Sequence, residues 1–269
     1  MGRVLLNERA TPDGAMAEPG VVAERLQAAT LAALGAHTGP DGRVDYAKLA
    51  ASSQLAAAAE AGDALAHVRL EALDTSPARL AFWINVYNAL VLHGIVRLGV
   101  RRSVLHVWNF FGRVSYRVGG HVFSLDDIEH GVLRGNRRRT LPPLRPFGRR
   151  DPRRTFMVTP SDPRFHCAIT CGAASCPPVG VYRAADLDAQ LDLAARNFVN
   201  QEVSLAGASL TCSRIFRWYR KDFEGAGGLA AFLLRHLDDG PARAALIAGA
   251  APCTSFRPYR WTLQHPPLR

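Results

Sequence analysis

His166, Cys167, Cys171 and Cys176 gather three thiols and an imidazole into one short stretch of this chain. They sit in Arg164-Phe165-His166-Cys167-Ala168-Ile169-Thr170-Cys171-Gly172-Ala173-Ala174-Ser175-Cys176-Pro177-Pro178. β-Formers run from Phe165 to Thr170, followed by a small-residue turn and a Pro-Pro stop. The pattern reads as a buried strand that delivers a thiol to a tight loop. Thiols gathered in this way serve nucleophilic chemistry, metal binding or a disulfide.

Nucleophilic catalysis needs a thiolate, a base within hydrogen-bond reach, a group that orients the base, and donors for an oxyanion. The chain offers Cys171 or Cys176 as the thiol and His130 or His166 as the base. Glu129, Asn85 or Asn88 would orient the base, and backbone amides from Gly172 to Ser175 would form the anion hole. A thiol on such a turn is accessible and open to a lowered pKa. Along a strand from 165 to 171, Phe165, Cys167, Ile169 and Cys171 share one face and His166 points to the other. That favours Cys171 with His130, on the helix that carries Glu129, and leaves Cys176 and His166 as second choices. Arg134 would pair with Glu129 or bind a substrate anion.

Two other classes compete. His166, Cys171, Cys176 and His130 are zinc-ligand types, but their intervals match no finger or ribbon spacing, so neither a metal nor a cofactor is expected. Cys171 and Cys176 could also close a disulfide, although they lack the Cys-x-x-Cys redox spacing. A non-enzymatic interaction module would use an arginine-rich loop or a groove between helices. The remaining candidates have plainer readings. Cys167, Cys212 and Cys253 read as small buried apolar or incidental groups. His93, His106, His121 and His236 read as structural or surface residues, and Trp83, Tyr87, Trp218 and Tyr219 as core. Glu129 has a plainer reading as well, as the complement of its helix N-terminus.

The elements that would position these groups follow from periodicity. Residues 1–19 read as a flexible tail. Residues 20–36, 47–60 and 62–72 read as Ala/Leu-rich helices, with a turn at Gly39-Pro40-Asp41-Gly42. Ser76-Pro77 opens the strongest helix, to about Leu98, with Leu80, Trp83, Ile84, Tyr87, Leu90, Val91 and Ile95 at three- and four-residue steps. Asn85 and Asn88 inside it need buried partners, either neighbouring backbone or a catalytic group. Residues 113–123 read as a hairpin turning at Gly119-Gly120. Ser124 and Asp127 resemble a capping box for a short helix through Arg134. Residues 186–200 read as an amphipathic helix, 205–212 as a strand, and 215–222 and 228–237 as helices, with an irregular or extended tail from Cys253. The order implies one α+β domain over residues 20–269: a helical N-terminal part, a β-hairpin and a small sheet flanked by helices.

Bulk composition narrows the partners. The 269 residues suffice for a full core, and 48% hydrophobic with 21% charged residues is ordinary for a globule. No apolar run approaches the ~20 residues of a membrane span, and the N-terminal residues show neither a signal-peptide core nor a myristoylation signal. The expected compartment is cytoplasmic, with mostly reduced cysteines. Nine arginines and one aspartate between 134 and 154 hold eight of the ten net positive charges. That loop would be solvated or would recruit an anion. Nucleic acid is not the expected partner, because no recognition motif or aromatic interleaving accompanies the arginines.

Several segments together resemble a known family. They are Val44-Asp45-Tyr46, Ala81-Phe82-Trp83-Ile84-Asn85-Val86-Tyr87-Asn88-Ala89-Leu90, Leu125-Asp126-Asp127-Ile128-Glu129-His130-Gly131-Val132-Leu133-Arg134, Asp162 to Pro178, and Trp218-Tyr219-Arg220-Lys221-Asp222-Phe223. The chain resembles the DUF547 family, domain of unknown function 547, from about residue 40 onward. Two departures stand out. Tyr259-Arg260-Trp261 replaces the family's Tyr-Asp-Trp pattern, and Cys167 stands where an apolar residue is usual. The resemblance implies an enzyme-like set of polar motifs and assigns no reaction. The combined expectation is a cysteine-dependent hydrolase or acyl transferase acting on an amide or ester of a small molecule or peptide.

Overall fold

Helical periodicity in the N-terminal third builds the first layer. The computed structural model describes residues 2–8, 17–40, 44–139, 142–207, 209–249 and 253–263. Helix α1 (Pro19–Ala36) packs on α3 (Ser53–Asp63) and on α4 (Ser76–Arg97). The helix expected over 47–60 is two helices, α2 (Tyr46–Ala50) and α3, because the Ser52 hydroxyl caps a new start at Leu55 N–H. The stretch 62–72 is two 3₁₀ turns, Ala64–His67 and Leu70–Ala72. Asp41 and Gly42 of the expected turn lie outside the described residues.

Helix α4 is the axis of the core. Thr75, not Ser76, caps it through Ala78 N–H, and Pro77 occupies the first turn. Its side chains from Leu80 to Leu92 are all buried, including Asn85 and Asn88. By length and composition alone this helix is long and apolar enough to cross a membrane. Most of its apolar window, 83%, is nevertheless buried inside the fold, as expected of a core helix.

A three-stranded sheet packs beside α4. Strands β2 (Val114–Val118) and β3 (His121–Ser124) form the expected hairpin. Its turn residues Gly119 and Gly120 have φ of +54° and +80°, a conformation that glycine adopts without a Cβ penalty. Strand β1 (Val4–Leu5) adds in parallel on β2, and buried Asn7 bonds to Gly62 O and Arg117 O. Residues 2–8 are therefore part of the sheet and not a free tail, and residues 9–16 lie outside the described residues. Ser124 and Asp127 cap each other reciprocally and open a π-helix, Asp127–Leu133.

The second half has its own apolar cluster. Helix α6 (Leu187–Glu202) packs on α8 (Gly228–His236), with Phe198, Phe216, Phe223 and Phe232 between them. The strand expected at 205–212 is a hairpin, β4 (Ser204–Ala206) and β5 (Ser209–Cys212). Strand β6 (Ser255–Phe256) joins β5 in parallel, so part of the C-terminal segment is paired. Arg214–Trp218 forms α7, a short 3₁₀ turn follows at Arg220–Asp222, and Pro241–Ile247 forms a further helix. The molecule is a single α+β domain with two small mixed sheets.

Candidate functional site

The cysteine stretch does not form a strand. Pro163–Cys167 is a 3₁₀ helix, with Asp162 capping Arg164 N–H and Pro163 in the first turn. Asp162-Pro163 is the helix-start signal that the β-former count outweighed in the sequence reading. The face assignment built on strand alternation therefore fails, and His166 and Cys171 line the same cavity. Cys167 is buried in the second apolar cluster, as expected of a small core group.

The backbone after Cys167 is held by polar clamps. Asn88 donates to Ala168 O at 2.9 Å and accepts from Thr170 N–H at 2.9 Å. Asn85 does the same for Tyr182, at 2.7 Å and 2.9 Å. Both amides are consumed by backbone, so these residues shape the loop and orient no imidazole. Gly172 turns the chain at φ +80°, and a Cβ there would come within 2.5 Å of Ile95 Cδ1. Two of the four amides of the expected anion hole are spent on internal bonds, as is the next amide, that of Cys176. Gly172 N–H donates to Thr170 Oγ1, Ala174 N–H to Thr262 O, and Cys176 N–H to Ala173 O. Ser175 does not line the main cavity; its Oγ accepts from Arg260 N–H at 3.0 Å.

This loop brings two thiols together. The Sγ atoms of Cys171 and Cys176 are 2.7 Å apart, and both thiols are partly exposed. Tyr259 Oη lies 3.1 Å from Cys176 Sγ and 3.3 Å from Cys171 Sγ. Cys171 N–H donates to Cys176 Sγ at 3.0 Å. Burial pushes the Cys176 thiol up, but the Cys171 thiol, the Tyr259 hydroxyl and the Cys171 and Ala173 amides outweigh it and bring it down to about 6. Cys171 is pushed well above the ordinary thiol range by its bond to Cys176 and by burial. The Cys171 amide and the nearer approach of the Tyr259 hydroxyl favour the thiolate on Cys176 and leave the proton of the pair on Cys171.

Glu129, His130 and His166, which line the same cavity as the thiols, belong to a network of acidic and basic groups. Glu129 accepts from Tyr219 Oη at 2.6 Å and Tyr87 Oη at 3.0 Å. Burial raises its carboxyl, yet His130, the Tyr219 hydroxyl, His166 and Arg134 together hold it below the usual carboxylate range. Burial and Arg134 push His130 toward the neutral form, against Glu129 and Asp126. Arg134 Nη1 lies 2.9 Å from His130 Nδ1. A guanidinium only donates, so Nδ1 accepts and the ring proton sits on Nε2. His130 in this tautomer is a donor, not the thiol base expected from the sequence. Among the described residues, no hydrogen bond or ion pair joins either imidazole to a thiol.

Arg134 does not pair with Glu129 by direct hydrogen bonds. It forms a two-pronged bond to Asp222, at 2.6 Å and 3.1 Å. Asp222 also accepts from Arg137 Nη1 at 3.0 Å and from His166 Nε2 at 2.9 Å. Burial opposes the Asp222 charge, but His166 and Arg134 hold the carboxyl far below the usual range. His166 stacks on Tyr219, with ring centroids 4.1 Å apart.

These walls enclose a cavity of about 400 Å³ with a mainly aromatic and aliphatic lining. It contains Cys171, Cys176, Glu129, His130 and His166, and also Tyr87, Trp218 and Tyr219, which the sequence reading assigned to the core. Trp83 alone of that aromatic set is pure core. Asp222, Tyr259, Asp126 and Arg139 were not singled out as site residues. Asp222 had one legible signal: it is a lone carboxylate inside an aromatic and basic segment. Tyr259 had one too, as the first residue of the Tyr259-Arg260-Trp261 segment that stands in place of the family's Tyr-Asp-Trp pattern. The arginine loop is partly spent on internal pairs: Arg134 and Arg137 bind Asp222, Arg139 binds Asp126, and Arg153 binds Asp127 and Asp151. Among the described residues, no group of three or more His, Cys, Asp or Glu side chains is disposed to hold a metal ion.

Cys212 and Cys253 form a disulfide, which corrects their reading as incidental thiols, and Cys167, Cys171 and Cys176 are free. The bond, with β6 beside it, anchors the segment that carries Tyr259 to the thiols. No curated protein and no solved structure matches the chain. The family match is shorter than the stretch from about residue 40 that the motifs suggested. Residues 70–199, a region that holds both paired thiols, Glu129, His130 and His166, match the family described as protein of unknown function, DUF547.

Proposed function

We propose that the chain is a thiol-dependent hydrolase or acyl transferase that acts on an amide or ester, with Cys176 as the attacking sulfur. One observation carries this reading: Cys176 Sγ receives an amide N–H, a tyrosine O–H and a neighbouring thiol at the floor of an aromatic cavity. A sulfur so surrounded is a thiolate without a dedicated base. Its lone pair attacks the acyl carbon and forms a C–S bond while the carbonyl π pair moves to oxygen. As the tetrahedral species collapses, the bond to the leaving nitrogen or oxygen breaks. Cys171, which keeps its proton, gives it to the leaving group. Water or another nucleophile then cleaves the thioester and returns the proton. His130 lines the cavity, its Nε2 lies 3.9 Å from Asp126 Oδ1, and in the tautomer set by Arg134 its Nε2–H would serve a developing oxyanion.

The test is acyl trapping. A small aryl ester should leave a thioester on Cys176, seen by peptide mass spectrometry and missing in Cys176→Ser. Rapid iodoacetamide labelling of Cys176 with no acylation by a panel of esters would refute acyl transfer. A second reading is favoured by the 2.7 Å sulfur separation. Cys176 would attack a substrate disulfide, and Cys171 would resolve the mixed disulfide, releasing two thiols and closing an internal bond. Oxidised glutathione would then convert the pair to a disulfide that dithiothreitol reopens, and Cys171→Ser would stop at the mixed disulfide.

A further inference from the structure

Tyr259 also lines a second, polar cavity of about 190 Å³. Its other walls include Ser175, Glu202 and three arginines, Arg214, Arg257 and Arg260. Three guanidinium groups against one carboxylate leave the cavity positive. Arg257 is held in place by Ser204 Oγ at 3.0 Å and Gln201 O at 3.4 Å. Arg214 is different: its Nε is shielded from solvent and has no hydrogen-bond partner. A shielded guanidinium N–H without an acceptor is unusual, because such groups are nearly always satisfied. A carboxylate or phosphate oxygen is the acceptor that fits the fork of an arginine. Ser175 Oγ already accepts from Arg260 N–H, and its own proton is free to donate in addition.

The cavity is connected to the thiols through one side chain. Tyr259 forms part of its wall and places its hydroxyl 3.1 Å from Cys176 Sγ. Ser175, in the same wall, is the residue before Cys176. We propose that this arginine cavity holds an anionic group, a carboxylate or phosphate, of the substrate whose reacting atom meets Cys176. The aromatic cavity takes the apolar part of that molecule, so the substrate is amphiphilic, with its anion beyond Tyr259. The inference rests on the thiolate reading of Cys176 and adds the substrate class.

Two alkylating reagents of matched size separate the two claims. Iodoacetate carries a carboxylate and iodoacetamide does not. Rates of alkylation at Cys176 are measured for both, on the full chain and on Arg214→Gln/Arg260→Gln, with thermal melting as the folding control. The ratio of iodoacetate to iodoacetamide rates should fall about tenfold in the double variant, as expected for removing two nearby charges at a partly exposed site. Inorganic phosphate should slow iodoacetate more than iodoacetamide on the unaltered chain and lose that selectivity in the variant. An equal ratio in the two proteins overturns the anion site. Phosphate that binds by calorimetry but leaves the ratio unchanged also overturns it, since the anion would then be a separate effector. Slow iodoacetamide reaction near neutral pH, with calorimetric phosphate binding lost in the variant, would instead refute the thiolate and keep the anion site.

Discussion

Replacing Tyr259 with Phe removes one hydroxyl and no ring. In the structure that hydroxyl lies 3.1 Å from Cys176 Sγ and 3.3 Å from Cys171 Sγ. A hydrogen bond to a charged acceptor contributes about 1.5–3 kcal/mol. Cys176 is partly exposed, so the lower end applies. At about 1.4 kcal/mol per pKa unit, the Cys176 thiol should rise by about one unit. Starting from about 6, it should reach about 7 in the variant. The assay is the second-order rate of iodoacetamide alkylation at Cys176, read by peptide mass spectrometry across the pH range. Near pH 6 the thiolate fraction drops from about one half to about one tenth, a slowing of about fivefold. Above about pH 8.5 the two proteins should react at similar rates, because both sulfurs are then ionised. An unchanged midpoint in Tyr259→Phe would refute the claim that this hydroxyl stabilises the thiolate. A midpoint near the free-thiol value of about 8.5 in the unaltered chain would refute the thiolate itself.

Other perturbations test the frame around the thiols. Asp222→Asn leaves Arg134 and Arg137 without their carboxylate in a site where the Asp222 side chain is 1% exposed, and should cost about 3–5 kcal/mol in chemical denaturation. The same carboxyl is depressed in the folded state, so its contribution is present above the ordinary aspartate value and is lost as pH falls through and below about 4. Unfolding free energy should decline there, with a shallower decline in Asp222→Asn. Gly172→Ala places a Cβ at φ +80° and 2.5 Å from Ile95 Cδ1, and should cost about 1–3 kcal/mol and slow Cys176 alkylation at all pH values. Under denaturing, non-reducing conditions three of the five cysteines should alkylate, namely Cys167, Cys171 and Cys176. Removing the Cys212–Cys253 bond, which spans 41 residues, should destabilise the chain by about 4 kcal/mol and loosen the segment that presents Tyr259. Five alkylated cysteines would contradict that account.

Local signals were enough for much of the frame. The three- and four-residue apolar steps from Leu80 to Ile95 determine a core helix whatever surrounds it, because one side chain recurs on the same face every turn. Gly119-Gly120 determines the hairpin, since both positions take positive φ. Ser124 and Asp127 determine the helix start by mutual capping. The composition of the site was also visible in outline: Cys171, Cys176, Glu129, His130 and His166 do line one cavity. The strand at 165–171 failed for a local reason, because Asp162-Pro163 caps a helical turn and outweighs the β-former count.

Tertiary structure decided the electrostatics, and with them the roles. Whether a thiol, imidazole or carboxylate is charged depends on burial and on which donors reach it, and those donors come from remote segments. Tyr259 reaches the thiols across a separation of 83 residues from Cys176. Asp222 reaches Arg134 across 88. Arg134 sits only four residues from His130, yet its lock on Nδ1 depends on how the π-helix turns. The sequence by itself therefore marked Cys171, Cys176, Glu129, His130 and His166 as side chains of one site, but not Asp222 or Tyr259, which complete it. Three-dimensional packing decided which donors reach each sulfur and which ring nitrogen of His130 Arg134 engages, because hydrogen-bond partners from remote segments are not encoded in local periodicity.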